Sequence, residues 1–127
     1  MGDTFVHFEI PADDPEKLMA FYSGVFGWQF QRTPMPGMAG AEYILVQTVE
    51  QGKPGINGGM YKRMDREDTA RSFIGVSSID GIISQVTSLG GKVIRPKMKI
   101  PGVGWAAFIA DPEGNPQGVF QDDPNVR

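Results

Sequence analysis

One pattern runs twice along this chain and constrains its fold more than any other feature: an apolar strand, a helix with an apolar stripe, then three further strands. In the first pass Val6, Phe8 and Ile10 alternate with Phe5, His7 and Glu9. That is the two-residue period of a strand, and it puts His7 and Glu9 on one face. Asp13-Asp14-Pro15-Glu16 follow. They supply an N-cap, a proline at the first helical position and an acid in the first turn, so a helix begins there. Leu18, Phe21, Tyr22, Val25 and Phe26 recur at helical spacing and predict one buried stripe, with Gly27 as its left-handed stop. Strands are expected at 28–32, 42–48 and 56–62.

Residues 63–71 are polar, aperiodic and charged in both signs, as a solvated linker would be. Beyond them 72–77 reads as a strand, Ser78 as a helix cap, and Ile82, Ile83, Val86 and Leu89 as a second buried stripe ended by Gly90-Gly91. Strands at 92–95, 105–110 and 117–121 complete the second series. Asp111-Pro112-Glu113-Gly114-Asn115-Pro116 forms the hairpin between the last two. The two modules are thus expected at about 5–62 and 72–121 of one domain spanning 1–127. Aligned on their helix-start aspartates, Asp14 and Asp80, the modules match His7 with Phe73, each seven residues earlier. A duplicated unit of this kind usually packs as a pair, each half covering surface that the other cannot bury alone.

Composition narrows the function. A formal charge of -3 and a pI near 5.0 argue against nucleic-acid binding, which calls for a clustered basic face. The absence of cysteine rules out disulfides, thiolate nucleophiles and iron–sulfur ligation, and suits a reducing cytoplasm. No apolar run approaches the roughly 20 residues of a membrane helix. Asp3 stands where a signal segment would be basic. A soluble cytoplasmic protein with no membrane partner is expected.

The tandem pattern, a strand histidine seven residues before an aspartate, Ala20-Phe21-Tyr22 ahead of Val25-Phe26-Gly27-Trp28, and Asp111-Pro112-Glu113-Gly114-Asn115 near the end together resemble the vicinal oxygen chelate superfamily. Glyoxalases, bleomycin-resistance proteins and extradiol dioxygenases belong to it. The resemblance runs from Phe5 to Gln121. It implies an α+β fold of tandem βαβββ modules, each a curved mixed sheet with a helix on its convex face, together forming a cup, usually within a homodimer. It also implies metal ligands on the first and last strands of each module, which here are His7, Gly59, Phe73 and Gly118. Of these only His7 carries a donor.

A divalent ion needs three or four donors of the His, Glu or Gln type. An extradiol dioxygenase site needs two histidines and a carboxylate, and this chain has one histidine. In a glyoxalase-like isomerase or epimerase the resemblance puts a metal-bound glutamate on the last strand, where Gly118 stands. No tightly bound metal is therefore expected; a weakly held divalent ion would use His7.

Glu9 lies about 7 Å along the strand from His7, so both can reach one ligand. The pair could act as base and supporting carboxylate. Alternatively, neighbouring polar groups satisfy His7, or Glu9 lies at a dimer seam. The Asp111–Asn115 stretch reads as a turn, and Gly58-Gly59, which lacks the setting of a phosphate loop, reads as a close backbone approach at the cup floor. Arg95, Lys97 and Lys99 flank the loop at 101–104 and could meet an anion or simply be solvated. Tyr61, Phe73, Trp105 and Phe120, with Gly59 and Gly118, read either as an aromatic-lined pocket or as core. The favoured reading is a protein that binds a small organic molecule. The alternative is a lyase, isomerase or dioxygenase of the same superfamily using His7 and Glu9, metal-dependent or, as an acid–base catalyst, metal-free.

Overall fold

The computed structural model describes residues 2–127. Its elements are β1 (Thr4–Ala12), α1 (Pro15–Phe26), β2 (Gln29–Pro34), β3 (Glu42–Gln47), β4 (Gly58–Lys62), β5 (Arg71–Gly75), α2 (Ile79–Ser88), β6 (Lys92–Ile100), β7 (Gly104–Ala110) and β8 (Pro116–Asp122). The chain divides into two compact units, one of residues 7–70 and one of residues 71–127 together with the start of β1.

In the first unit the strand order is β2-β3-β4-β1; in the second it is β6-β7-β8-β5. In each, the first strand runs parallel to the last, β1 with β4 and β5 with β8, and the other neighbours are antiparallel. Each unit is thus a βαβββ module with a mixed sheet, and the fold is α+β as the repeat predicts.

Both helices start where capping chemistry requires. Asp14 accepts the N–H of Lys17 and Ser78 that of Gly81, each satisfying a donor that the first turn leaves without a partner. These caps correct the alignment of the two modules. Asp80 sits inside the first turn of α2, so the equivalent of Asp14 is Ser78. Counting back from the caps, His7 corresponds to Arg71 and Glu9 to Phe73. The ladders agree: Glu9 is the register partner of Gly59, and Phe73 that of Gly118.

One face of each sheet carries the core. In the first unit Ala12, Ile44, Val46 and Met60 are buried, with Phe8, Ile10, Leu18, Met19, Tyr22, Trp28 and Phe30 packed against them. In the second, Ile79, Ala107 and Val119 are buried beneath Ile74, Val76, Ile82, Ile83, Trp105 and Ile109. The α1 stripe differs from expectation. Leu18, Met19 and Tyr22 face the sheet, whereas Phe21, Val25 and Phe26 are more than half exposed. Trp28 takes their place, stacking on Tyr22 at 4.8 Å between centroids and 4° between planes.

β6 extends to Ile100, past the predicted end at 95, although it contains Pro96. Its ladder with β7 shifts register on either side of Arg95, and it is the outermost strand of its unit, where a missing N–H leaves no carbonyl unpaired. None of the helices formed by the described residues is long and apolar enough to cross a membrane.

The Asp111–Asn115 stretch is the turn that its composition predicts. The Asp111 carboxylate accepts from Asn115 Nδ2 at 2.8 Å and from the backbone N–H groups of Glu113 and Asn115, both at 2.9 Å. The Asn115 side chain first, then these N–H groups, hold its pKa below the ordinary carboxylate value. A depressed folded-state value adds stability above the ordinary value, and that contribution is lost as pH falls through the folded one. Asp111→Ala should therefore lower the melting midpoint at neutral pH, with the difference from wild type closing as pH falls below about 4. A constant difference across the acid limb of a melting series would contradict this.

Candidate functional site

The face of the first unit turned away from α1 carries His7, Glu9, Tyr43 and Tyr61. Alternation along β1 places His7 and Glu9 there. Register partners then bring Gly59 beside Glu9, and Tyr43 opposite Tyr61. Thr33 Oγ1 donates to the Tyr43 carbonyl at 2.6 Å, tying β2 to β3 beside the ring's attachment point.

Tyr43 organises this face. Its hydroxyl donates to Glu9 Oε2 at 2.8 Å and lies 2.9 Å from His7 Nε2, while Nε2 and Oε2 are 3.7 Å apart. A phenol has one proton, here directed at Glu9, so the contact with His7 requires Nε2 to carry hydrogen and donate. In the neutral ring Nδ1 is then the basic nitrogen. Burial first, then the charge of Glu9 and the hydrogen bond to it, push the Tyr43 hydroxyl far above the ordinary phenol range. Tyr43 therefore stays protonated as a fixed bridge. The His7 and Glu9 side chains keep 32% and 25% of their surface exposed, so a ligand can reach both.

The bridge explains Gly59. A Cβ there would overlap the Tyr43 hydroxyl and lie 2.6 Å from its Cε2. The second unit repeats the device: a Cβ on Gly118 would overlap the Phe73 ring, 2.5 Å from Cε2 and 2.8 Å from Cγ. At both last-strand positions where the resemblance implies a metal ligand, an aromatic side chain fills the space that a donor side chain would need.

No group of three or more His, Cys, Asp or Glu side chains arranged to hold a metal occurs among the described residues. His7 Nε2 and Glu9 Oε2 are both engaged by Tyr43. Two donors joined through a phenol do not fit a tightly held divalent ion, which needs three or four converging ligands.

Phe73, Gly118 and Phe120 share the face of the second unit turned away from α2, where Gly75 and Ala106 are register partners of Phe120. Phe73 meets Phe108 edge to face at 5.6 Å, and the Arg71 guanidinium lies 4.8 Å from the Phe108 ring centre. Trp105, expected among the lining residues, is not with them. It packs into the core on the opposite face, its Nε1 donates to Asp123 at 3.4 Å, and Lys97 covers its ring at 4.4 Å. Lys97 is in turn paired with Asp80 at 3.0 Å. Alternation decides this: Trp105 is odd-numbered on β7, whereas Ala106 and Phe108 face the other way.

Sequence reasoning missed Tyr43, Phe108 and Arg71. A usable signal was present, since a glycine inside a strand often marks close approach by another group. It could not name which strand supplies that group.

The family profile of bleomycin resistance protein-like N-terminal regions matches residues 4–43. The putative glyoxylase CFP32 of Mycobacterium bovis is 26% identical over 124 residues, covering 93% of this chain and 45% of that protein. The chain thus spans about half the length of that relative. A glyoxylase-like domain-containing protein of Didymella fabae is 32% identical over 114 residues, covering 87% of this chain and 88% of the relative. Methylmalonyl-CoA epimerase from Mycobacterium tuberculosis superposes with a TM-score of 0.68 at 14% identity, over 94% of this chain and 88% of that one, a likeness of fold alone. Near-complete mutual coverage of the Didymella relative, the profile match over β1 and α1, and the two βαβββ modules place the chain in the glyoxalase/bleomycin resistance/dioxygenase, or vicinal oxygen chelate, superfamily.

Proposed function

We propose that the chain binds a small organic molecule on the sheet face bearing His7, Tyr43, Glu9 and Tyr61, and that it does so without a tightly bound metal. The observation carrying this reading is the Tyr43 hydroxyl held between His7 Nε2 and Glu9 Oε2 above Gly59. It fills the space that a side chain at position 59 would need and offers a ligand an imidazole and a carboxylate on an aromatic floor. Small-molecule sites of this make-up combine apolar burial with a few oriented polar groups.

Thermal-shift measurements test both parts. A ligand at a hundredfold excess over its Kd stabilises the native state by about 2.7 kcal/mol, a rise of several degrees. Some members of a panel of small organic molecules should raise the midpoint of the wild type and not that of His7→Ala or Glu9→Ala. Salts of Mn, Ni, Zn, Co and Fe should produce no rise that depends on His7. A metal-induced rise abolished by either substitution would overturn the metal-free part. No rise with any organic molecule would overturn the binding part.

The same trio favours one second reading, a metal-free acid–base enzyme. His7 would take a proton from the ligand at Nδ1, while Tyr43 and Glu9 orient the ring and offset its charge. That reading expects solvent deuterium to enter a C–H bond of the bound molecule, and the exchange to disappear in His7→Gln.

A further inference from the structure

We propose that the second unit holds an anion site of its own, which binds the carboxylate of a small aromatic acid at Arg71. Every residue involved lies in that unit, so the proposal stands independently of the reading of His7, Tyr43 and Glu9.

Arg71 opens β5 on the same face as Phe73, and its side chain is half-buried. Its guanidinium rests over Phe108, 4.8 Å from the ring centre, and Phe108 is held edge to face by the buried Phe73. A guanidinium lying on a ring keeps its N–H groups directed outward in its own plane, the geometry that meets a carboxylate through two parallel hydrogen bonds. Arg32 and Arg63 are tied to Glu16, Glu42 and Asp13. Among the ion pairs of the described residues, none includes Arg71.

The surroundings have the same sign. Arg95 is the register partner of Phe108 on β6, and Lys92 that of Ala110. The positions around them on this face are Phe73 and Gly75 on β5, Ala106 on β7, and Gly118 and Phe120 on β8. The acid on these strands that shares the face is Asp122, at the far end beside Gly104. An apolar aromatic floor with two arginines and a lysine selects an anion with an apolar body, even though the chain as a whole is acidic.

Amide correlation spectra recorded during titration with benzoate, and separately with benzamide, test the proposal. Benzoate should shift the amides of residues 71–75 and 106–110 and bind more tightly than benzamide. Arg71→Met should weaken benzoate by roughly 10- to 100-fold, the worth of a charge-assisted hydrogen-bonded pair, and leave benzamide unchanged. Arg71→Lys, which keeps the charge and loses the fork, should fall between. If Arg71→Met does not fold, Arg71→Lys and the amide comparison still decide.

Three results would overturn the site: benzamide binding as tightly as benzoate, an unaltered benzoate affinity in the Arg71 variants, or no shift in these strands up to about 10 mM. Shifts confined to residues 7–9 and 43 would also overturn it, while supporting the proposed ligand face of the first unit.

Discussion

Gly59→Ala is expected to destabilise the protein by about 3 kcal/mol and to break the bridge between His7 and Glu9. The new methyl group would overlap the Tyr43 hydroxyl and ring. Tyr43 cannot yield by a small adjustment, because its backbone is paired with Thr33 on one side and Tyr61 on the other, and its hydroxyl is bound at both ends. The ring has to leave its place. Glu9 then loses a hydrogen bond and His7 loses the acceptor of its Nε2 proton, a penalty added to that of overpacking. Denaturant unfolding measures the loss, and the His7 imidazole resonances report the broken bridge. Because the clash is with one side chain, Gly59→Ala and Tyr43→Ala combined should be less destabilising than the sum of the two. A Gly59→Ala variant within about 0.5 kcal/mol of wild type would contradict the packing described above.

Gly104→Ala should be worse still, at about 4 kcal/mol, with a midpoint lowered by more than about 10 °C. Here the obstacle is backbone. A Cβ on Gly104 would run into the carbonyl oxygen of Gln121 and lie 3.0 Å from the Asp123 nitrogen, at a φ of +157. β7 and β8 meet at this point, with Gly104 paired to Asp122 and the Asp123 N–H donating to the Val103 carbonyl at 3.0 Å. Relief requires the two strands to part at their end. Gly102, two residues earlier, separates clash from conformation. Its φ is +75 but nothing lies within 4 Å of its absent Cβ, so Gly102→Ala should cost only about 1 kcal/mol. Equal losses at the two glycines would show that backbone conformation, not contact with β8, governs the effect.

The two replacements mark different depths at which the chain could be read. Gly102 sits in a Pro-Gly-Val-Gly loop whose character is plain from composition. Gly59 sits in a strand, where its reason for being glycine lies on another strand. The same contrast holds for the aromatic residues. Trp105 and Phe120 are equally apolar in sequence, yet period two along β7 and β8, combined with which face α2 covers, sends Trp105 into the core and Phe120 to the other side. Periodicity assigns residues to faces within one strand; it does not say which face of one strand continues that of its neighbour. The mistaken match of Asp14 with Asp80 has a different origin: it paired the modules by residue type, whereas the equivalent of the Asp14 cap is Ser78, the cap that the sequence already indicates and the bond from Gly81 bears out.

From the sequence alone came the duplicated strand–helix–strand–strand–strand order, both helix caps, the turn at Asp111, the pairing of His7 with Glu9 on one face, and the superfamily resemblance. All of these rest on neighbours in the chain, where spacing and residue type act directly. The tertiary structure alone decided that Tyr43 bridges His7 and Glu9 over Gly59, that Phe73 fills the space above Gly118, and that Arg71 lies over Phe108. Those contacts join strands 34 to 45 residues apart in the chain, through the register of ladders that no local pattern specifies. His7 therefore keeps the place its strand predicts, but its chemistry is set by a tyrosine whose role no local pattern revealed.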